Sequence, residues 1–197
     1  MHPDIEAWDA WHPRVAAQRL ADVRFPWYVA AGWALDLFRG ARSREHGDLE
    51  IAVPEALFET VPQRLPELDF YVPQGAGRLA PMTEENLHDD SHQTWGYDRA
   101  AGAWRIDVFR EPHDGETWIC RRDESIRRPY ADIIARTADG IPYLCPEVVL
   151  LFKAKGTRPK DQADFENALP RLTDAQRMWL VHALQTLHPG HAWLARL

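Results

Sequence analysis

No stretch of this 197-residue sequence is long and apolar enough to span a membrane. The longest aliphatic run, Val148 to Phe152, covers five residues, whereas a membrane-spanning helix needs about 20. The first residues, MHPDIEAWDAWHP, contain neither the basic region nor the apolar region of a secretory leader. We therefore expect a soluble, cytoplasmic protein.

Cysteine is scarce, since Cys120 and Cys145 are the only two in the sequence. Their spacing matches neither a framework of disulfides nor the CxxC pairs of a structural zinc site. The sequence thus argues against a disulfide-rich secreted scaffold, and we expect both thiols to be buried.

Positive charge is also in short supply. Lys and Arg number 23 against 30 Asp and Glu, which gives a formal net charge of −7. Affinity for nucleic acids in general comes from clustered Lys and Arg that neutralise phosphates. The composition therefore argues against a large nucleic-acid surface and favours a small polycationic substrate. A protein of negative net charge can still carry a local basic patch, so tRNA remains an alternative partner.

The sequence does contain what one globular unit requires. Hydrophobic residues make up 45% of the chain, with nine Trp, and the length suffices for one sizeable core. The patterns predict an α+β fold, in which residues 1–145 form a mixed β-sheet with packed helices. Residues 146–197 are predicted to form a helical C-terminal segment that packs on this core.

Hydrophobic periodicity and turn residues give the order of the predicted elements. The predicted strands cover residues 27–30, 48–53, 93–97, 104–110, 133–137 and 141–144. One or two helices are predicted within residues 5–23, and further helices near 33–38, 54–64, 147–155, 159–170 and 173–187. The strand pairs 93–97 with 104–110 and 133–137 with 141–144 are predicted hairpins.

Two carboxylates, Asp48 and Glu50, interrupt an otherwise apolar strand. Leu49, Ile51 and Val53 alternate with them, and this period of two places Asp48 and Glu50 on one face, about 7 Å apart. Their repulsion raises the pKa of at least one of them, and a divalent cation removes that penalty. Mg²⁺ is commonly held by one or two carboxylates together with substrate phosphates. The alternative is a solvated strand face.

Asp107 is a candidate third carboxylate, since it lies in WRIDVF with aliphatic neighbours in the same alternation. If its strand neighbours that of Asp48, three acidic groups converge and can hold two metal ions for in-line displacement at phosphorus. Upstream, Ala31 and Gly32 form a turn between a strand and a helix. The exposed N–H groups at such a helix start can receive phosphate oxygens.

These motifs resemble a known family. The glycine turn is followed by WALD at residues 33–36 and by SREHGDLE at 43–50. This pattern resembles the DNA polymerase β-type nucleotidyltransferase superfamily and, more closely, its aminoglycoside 2″-adenylyltransferase-like group. The resemblance continues through residues 104–109, through PEVVLLFKAK at 146–155 and through RPKDQADF at 158–165.

The resemblance covers roughly residues 27–172 and implies a nucleotidyltransferase fold. It implies that Asp48 and Glu50 are metal ligands, and that Asp107 either binds metal or acts as the general base. It also implies Mg²⁺ as the cofactor and ATP, or another NTP, as the co-substrate. Two positions depart from the family pattern. Ala31 stands at the first position of the usual glycine pair, and Glu50 stands where many members have aspartate.

Four further residues are candidates for nucleotide binding. Arg44 and His46 flank the carboxylate motif and can reach phosphates, although capping of the loop is an equal alternative for His46. Lys153 and Lys155 follow an apolar helical run. In enzymes of this family a basic residue from the C-terminal helices can face the triphosphate, whereas two lysines at a helix end also complement the helix dipole.

Other polar groups are assigned structural roles. Lys160, Asp161 and Asp164 are spaced for side-chain pairing and are predicted to brace the helices. His88 and His92, with Asp89, Asp90 and Ser91 between them, have superficial metal-site spacing. They lie between predicted strands, which favours a polar loop over a zinc site.

The aromatic residues of the first hairpin, Trp95, Tyr97 and Trp104, are assigned mainly to the core, with one of them free to stack on a base or a sugar.

These observations lead to one hypothesis and two alternatives. The hypothesis is a Mg²⁺-dependent transferase that moves AMP from ATP onto a hydroxyl of a small, aminoglycoside-like acceptor and releases pyrophosphate, as an antibiotic-resistance enzyme does. One alternative is a toxin-type transferase that acts on tRNA or on a protein hydroxyl. The other is a nucleotide-binding protein of the same fold without turnover.

Overall fold

A mixed β-sheet forms the centre of the fold. The computed structural model describes residues 3–88 and 91–197. Its strands, numbered along the chain, are β1 (Tyr28–Val29), β2 (Glu50–Pro54), β3 (Leu68–Pro73), β4 (Leu79–Pro81), β5 (Gln93–Asp98), β6 (Ala103–Glu111), β7 (His113–Asp114), β8 (Thr117–Ile119), β9 (Arg127–Pro129), β10 (Ile134–Arg136) and β11 (Pro142–Leu144). Eight strands form one sheet in the order β10-β11-β1-β2-β6-β5-β3-β4, and β7-β8-β9 form a smaller sheet.

Helices surround the main sheet and make up most of the C-terminal part. Among the described residues the α-helices are α1 (Pro13–Arg19), α2 (Ala31–Arg39), α3 (Thr60–Arg64), α4 (Tyr130–Ile133), α5 (Pro146–Lys153), α6 (Pro159–Ala168) and α7 (Asp174–Leu187). None of these described helices is long and apolar enough to cross a lipid bilayer.

Strand β2 lies in the middle of the sheet with two different faces. It runs antiparallel to β1 and parallel to β6. Leu49, Ile51 and Val53 are fully buried on one face, so Glu50 projects from the other. The alternation predicted from the sequence around β2 is confirmed.

The predicted hairpins and helix ends are also confirmed. Strand β5 pairs antiparallel with β6, and β10 pairs antiparallel with β11. Helix α2 ends at Gly40, whose φ of +69° is the left-handed conformation that glycine adopts without steric cost. Helix α7 begins after Thr173, whose side chain accepts a hydrogen bond from the backbone N–H of Gln176.

The C-terminal helices pack on one another and on α2. Helix α5 contacts α2, α6 and α7. The rings of Phe165 and Trp193 stack with centroids 4.2 Å apart and hold the last turn of the chain against α6. This packing places Lys153, at the end of α5, close enough to Glu50 to act on its charge. The boundary at residue 145 stays a prediction.

One predicted helix differs from the structure, whereas the one or two helices predicted within residues 5–23 correspond to the single helix α1. The segment after β2 is a 3₁₀ turn at Glu55–Leu57 followed by the short α3. Pro62 explains this break, because a proline has no N–H to continue the helical ladder. The carbonyl of Phe58 instead accepts from Val61 at 2.8 Å.

The predicted burial of both cysteines needs correction, and part of the predicted polar loop lies outside the described residues. Cys120 and Cys145 are both free thiols, but only Cys120 is buried and Cys145 is half-buried. Asp89 and Asp90 lie outside the described residues, and with them the centre of the polar loop predicted at 88–92.

Candidate functional site

Glu50 and Asp107 lie side by side on parallel strands. The register of β2 and β6 pairs these two residues, and paired residues project from the same face of a sheet, on strands about 4.8 Å apart. The backbone N–H of Asp107 donates to the Leu49 carbonyl at 2.8 Å. Asp48 lies just before β2, rather than in the predicted strand, and it is exposed. The strand that carries Asp107 therefore does neighbour the Asp48–Glu50 motif.

The electrostatics of this pair are unfavourable. Burial raises the pKa of the Glu50 carboxyl to about 7 from an ordinary value of 4.5, and the charge of Asp48 adds to the rise. Burial also raises the pKa of Asp107 well above its ordinary value, and the charge of Glu50 adds to that. Gln93 donates from its side-chain nitrogen to Oδ2 of Asp107. The other oxygen, Oδ1, has no hydrogen-bond partner among the described residues.

These features fit a divalent cation bound in an incomplete protein site. A buried carboxylate oxygen without a partner and two neighbouring carboxyls of raised pKa both favour an added positive charge. Within the described residues, no three His, Cys, Asp or Glu side chains are arranged as a preformed metal cage. Mg²⁺ does not need such a cage, because it is usually held by one or two carboxylates, waters and substrate phosphates.

A cavity of about 520 Å³ opens beside Glu50. Its lining includes eight of the nine residues predicted for the site, namely Ala31, Gly32, Arg44, His46, Asp48, Glu50, Lys153 and Lys155. Asp107 is the exception, since it is 4% exposed and is not part of the lining. The cavity lining thus combines the carboxylates of Asp48 and Glu50 with several cationic side chains.

The turn between β1 and α2 approaches the flanking loop closely. A Cβ atom at Gly32 would lie 2.8 Å from the ring of His46 and would also overlap the Arg44 guanidinium. Any residue larger than glycine would therefore displace these two side chains. Both predicted phosphate-binding side chains consequently lie directly over the turn.

His46 is held mainly by structural contacts. Its Nε2 lies 2.7 Å from Oδ2 of Asp36, and its ring stacks on Trp33 with centroids 4.5 Å apart. Asp36 also accepts hydrogen bonds from the backbone N–H and the hydroxyl of Ser43. Burial lowers the pKa of His46, and the hydrogen bond with Asp36 opposes this. His46 and Asp36 thus fix the loop that leads into β2.

An ion-pair network joins the loop to the C-terminal helices. The Nζ atom of Lys153 lies 3.2 Å from Asp161 and 2.8 Å from Asp164. Arg44 lies 3.4 Å from Asp164, and Arg158 lies 2.7 Å from Asp161. Asp161 and Asp164 therefore brace the helices, but through Lys153, Arg44 and Arg158 rather than through the pairing that their spacing predicts. Lys153 is fixed in place at the cavity wall.

The bracing role predicted for Lys160 is wrong. This residue is exposed and lines the cavity, and among the described residues no carboxylate lies within ion-pair distance of it. Its charge instead lowers the pKa of Glu50. Lys155, a predicted site residue, is also exposed at the cavity. Both lysines can therefore receive an anionic ligand.

Four further residues line the cavity that the sequence did not predict for the site, namely Glu111, Trp118, Arg121 and Arg122. Glu111 accepts hydrogen bonds from the indole N–H of Trp118 at 3.1 Å and from Arg121. The guanidinium groups of Arg121 and Arg122 lie 4.3 Å and 4.7 Å from the Phe152 ring centroid. One signal was available, since the alternation along β6 places Glu111 and Asp107 on the same face of the sheet.

Replacing Ala31 with glycine should raise the free energy of unfolding by about 1 kcal/mol, because a left-handed residue with a Cβ is strained by about that amount. The φ of Ala31 is +47°. Urea unfolding of both proteins measures the change. Ala30→Gly is the matched control, because Ala30 has a φ of −114° and glycine there should destabilise the fold. Equal destabilisation by both substitutions would show that Ala31 is unstrained.

Comparison with known proteins identifies the fold. No protein-family profile matches the sequence, and no curated protein sequence matches it significantly. Among solved structures, the antibiotic-resistance factor ANT(2″)-Ia in complex with adenylyl-2″-tobramycin superposes with a TM-score of 0.57 at 14% identity. That alignment covers 86% of this chain and 92% of that chain.

A second solved structure gives a similar result. The lincosamide antibiotic adenylyltransferase LnuA, with lincomycin bound, superposes with a TM-score of 0.54 at 16% identity, over 79% of this chain and 92% of that chain. A solution structure of ANT(2″)-Ia reaches 0.56 at 12% identity. At these identities the likeness establishes the fold alone, an α+β fold that this chain shares with LnuA and ANT(2″)-Ia.

Proposed function

We propose that this protein is a Mg²⁺-dependent nucleotidyltransferase that transfers AMP from ATP to a hydroxyl of a small, aminoglycoside-like acceptor. One observation carries the proposal. Glu50 and Asp107 are register partners on one sheet face, and Asp48 and Glu50 line a cavity that Lys153, Lys155 and Lys160 also line. A cavity lined by both acidic and basic groups suits a metal-bound polyphosphate.

The phosphates are assigned to the cationic side of the cavity. The turn at Ala31 and Gly32 opens the nine-residue helix α2, whose first N–H groups can bind phosphate oxygens. Lys155 and Lys160 supply exposed ammonium groups from the other wall. Lys153 and Arg44 are neutralised in part by Asp161 and Asp164 and contribute a fixed position rather than a free charge.

Asp48 and Glu50, which line the cavity, would hold the metal, with Asp107 beside Glu50 on the neighbouring strand. When bound, Mg²⁺ supplies Lewis-acid polarisation of the phosphate oxygens and offsets the charge of the carboxylates. The side-chain N–H of Gln93 orients Asp107 by donating to its Oδ2. As a metal ligand the Glu50 carboxyl would be held deprotonated, because a ligand carboxyl must be deprotonated, and the same positive charge would favour the carboxylate form of Asp107.

The proposed reaction is an in-line displacement at the α-phosphorus of ATP. The acceptor oxygen forms a bond to the α-phosphorus of ATP while the bond from that phosphorus to the bridging oxygen breaks. Pyrophosphate leaves with the bonding electron pair of that bond, and the proton of the acceptor hydroxyl passes to the Asp107 carboxylate. Asp107 is the general base in this proposal. The phosphate-binding cations stabilise the charge on the leaving group.

The neighbouring structures and the charge support a small acceptor. Two of those proteins are antibiotic-resistance adenylyltransferases with lincomycin or an adenylylated tobramycin bound. The net charge of −7 is unfavourable for tRNA. The rival functions are transfer to tRNA or protein and nucleotide binding without turnover.

Incubation with ATP labelled at the α-phosphate, Mg²⁺ and a single acceptor should show transfer to tobramycin or lincomycin with release of pyrophosphate, and none to tRNA. The products are measured by mass spectrometry and the pyrophosphate by a coupled assay. Omission of Mg²⁺ is the control. Labelled tRNA would establish the first rival function. Mg²⁺-dependent ATP binding without transfer to any acceptor would establish the second.

A further inference from the structure

Five aromatic rings cluster at the end of the first hairpin. Trp104 is fully buried, and Trp8, Tyr71, Trp95 and Tyr97 surround it with ring centroids 4.9 to 6.2 Å away. These four rings are half-buried rather than buried. The assignment of Trp95 and Tyr97 mainly to the core is therefore incomplete. We call Trp8, Tyr71, Trp95 and Tyr97 the aromatic platform.

The aromatic platform begins next to Asp107. Across the sheet, Glu50 on β2 pairs with Asp107 on β6, Asp107 pairs with Trp95 on β5, and Trp95 pairs with Tyr71 on β3. Paired side chains share a face of the sheet, and neighbouring strands are about 4.8 Å apart. The four residues thus form one row, with the carboxylates at one end and the aromatic rings at the other.

Trp8 reaches this row from the N-terminal segment. Residues 7 to 11 run beside β6, with the backbone N–H of Trp104 donating to Ala7 and the N–H of Trp11 donating to Arg105. This places the Trp8 ring edge-on against Trp95, with centroids 5.1 Å apart. The platform therefore combines two distant parts of the chain.

Two buried polar atoms face each other at the junction. Burial raises the pKa of the Asp107 carboxyl, and a hydrogen bond from the Trp95 indole opposes this rise, although Nε1 of Trp95 and Oδ1 of Asp107 do not reach full hydrogen-bond geometry with any described residue. Buried polar atoms are nearly always paired in folded proteins. A ligand hydroxyl at this junction can accept from Nε1 and donate to Oδ1.

The direction of in-line transfer also places the acceptor on the side of the sheet that carries the aromatic platform. In-line transfer puts the entering oxygen opposite the leaving pyrophosphate. The phosphate turn follows β1, which lies on the opposite side of β2 from β6. If the proposed function is right, pyrophosphate leaves on the β1 side and the acceptor enters over β6, β5 and β3.

We propose that the aromatic platform binds the acceptor, which is a glycoside whose saturated ring packs on Trp95 and Trp8 while one hydroxyl reaches Asp107. This inference rests on the proposed function for the position of the nucleotide. The rings of the cluster are inclined to one another by 37° to 88°. Because no two of these contacting rings are parallel, a flat base cannot be stacked between a pair of them. The C–H groups of a saturated ring can pack on such inclined aromatic faces.

Charge further restricts the acceptor to neutral or cationic glycosides. Around the platform Arg105 is paired with Asp9 and Asp98, and Arg99 is paired with Asp69. The carboxylates therefore outnumber the guanidinium groups, and an anionic acceptor is repelled. An ammonium group over an indole face gains cation–π attraction.

Indole NMR tests the platform without requiring turnover. Lincomycin and tobramycin are titrated separately into ¹⁵N-labelled protein with Mg²⁺ and a non-hydrolysable ATP analogue. At least one should shift the indole N–H signals of Trp8 and Trp95 and leave that of Trp193 in place. Shifts confined to Trp118, in the nucleotide cavity, would overturn the inference. So would the absence of any shift up to about 10 mM, where affinity is too low to be specific.

Kinetics separate this inference from the proposed function. Trp95→Leu should raise the acceptor KM about tenfold or more, because an aromatic face is lost, while Mg·ATP affinity measured by calorimetry stays unchanged. Trp95→Phe should restore most of the loss. Trp179→Leu, on α7, is the matched control and should behave as wild type. Transfer with an unchanged acceptor KM in Trp95→Leu would overturn the platform and leave the proposed function standing. If wild type transfers nothing, the proposed function fails and the indole titration still decides the platform.

Discussion

Asp107→Asn should lower the rate of AMP transfer by a factor of about 10² to 10⁴, the usual cost of losing a general base, while Mg·ATP affinity stays within about tenfold of wild type. Asp107 is buried behind Glu50, outside the cavity lining. It therefore contributes little to nucleotide binding. Its Oδ1 is buried without full hydrogen-bond geometry to any described residue, and we assign this atom to the acceptor hydroxyl. Single-turnover transfer and calorimetry measure the two quantities.

The fold itself should tolerate this substitution. Asparagine keeps an oxygen for the Gln93 hydrogen bond and removes a buried charge that Glu50 repels. Thermal unfolding checks this expectation, and Asp114→Asn on β7 is a control at a carboxylate remote from the site. A loss of Mg·ATP affinity beyond a hundredfold would make Asp107 mainly a metal ligand. Transfer at the wild-type rate would remove it from the mechanism.

Glu50→Gln should weaken the loss of stability that the metal-free protein shows as the pH rises. Folding raises the pKa of Glu50 from 4.5 to about 7, so the folded state binds more protons than the unfolded state between these values. The contribution of Glu50 is therefore lost as the pH rises from 4.5 to 7, by at most about 3 kcal/mol. Glutamine carries no such charge, so in EDTA the variant should be the more stable protein at pH 8.

The difference between the two proteins reports Glu50 together with Asp107, whose pKa the charge of Glu50 raises, and it cancels titrating groups that Glu50 does not influence. Burial lowers the pKa of His92 to about 4, so His92 stabilises the fold as the pH rises from 4 to 6.5, which opposes the Glu50 effect. Both proteins contain His92, and its contribution cancels in the comparison.

Unfolding by urea from pH 5 to 8, in EDTA and in Mg²⁺, gives the profiles. Mg²⁺ should stabilise wild type at pH 8 more than Glu50→Gln, and the variant should lose Mg²⁺-dependent ATP binding. Parallel pH profiles in EDTA would mean that Glu50 is not destabilised by folding. Equal ATP affinity of wild type in EDTA and in Mg²⁺ would remove the metal from the proposal.

Local patterns were sufficient for the elements of the site and insufficient for its assembly. The alternation around Glu50 predicted a strand with one apolar face, and Gly40 and Thr173 predicted helix ends, because these signals act over a few residues. The register that pairs Glu50 with Asp107 joins residues far apart in the chain. From the sequence, the convergence of Asp107 with Asp48 and Glu50 could be predicted only if their strands are neighbours. No local signal specifies which strands pair.

The roles of Lys160 and Trp8 were predicted wrongly for a different reason, because both depend on tertiary contacts. An exposed lysine at a helix start, such as Lys160, has the appearance of a solvated surface residue until the cavity beneath it is known. Trp8 was placed in an N-terminal helix by its spacing, but backbone hydrogen bonds to β6 hold it in extended structure instead. Tertiary contacts override weak helical periodicity in such short segments.

The hydrogen bonds of Asp36 have a consequence for the order of folding. They join residues seven and ten positions apart, so the phosphate turn and its loop close over short stretches of chain, which costs little loop entropy and can happen early. The pairing of β2 with β6 closes a much longer loop and brings two repelling carboxyls together. We therefore expect the turn and its loop to be structured in the folding transition state, and the carboxylate pair to form after it. Substitutions at Asp36 should then slow folding, whereas Glu50→Gln should mainly slow unfolding.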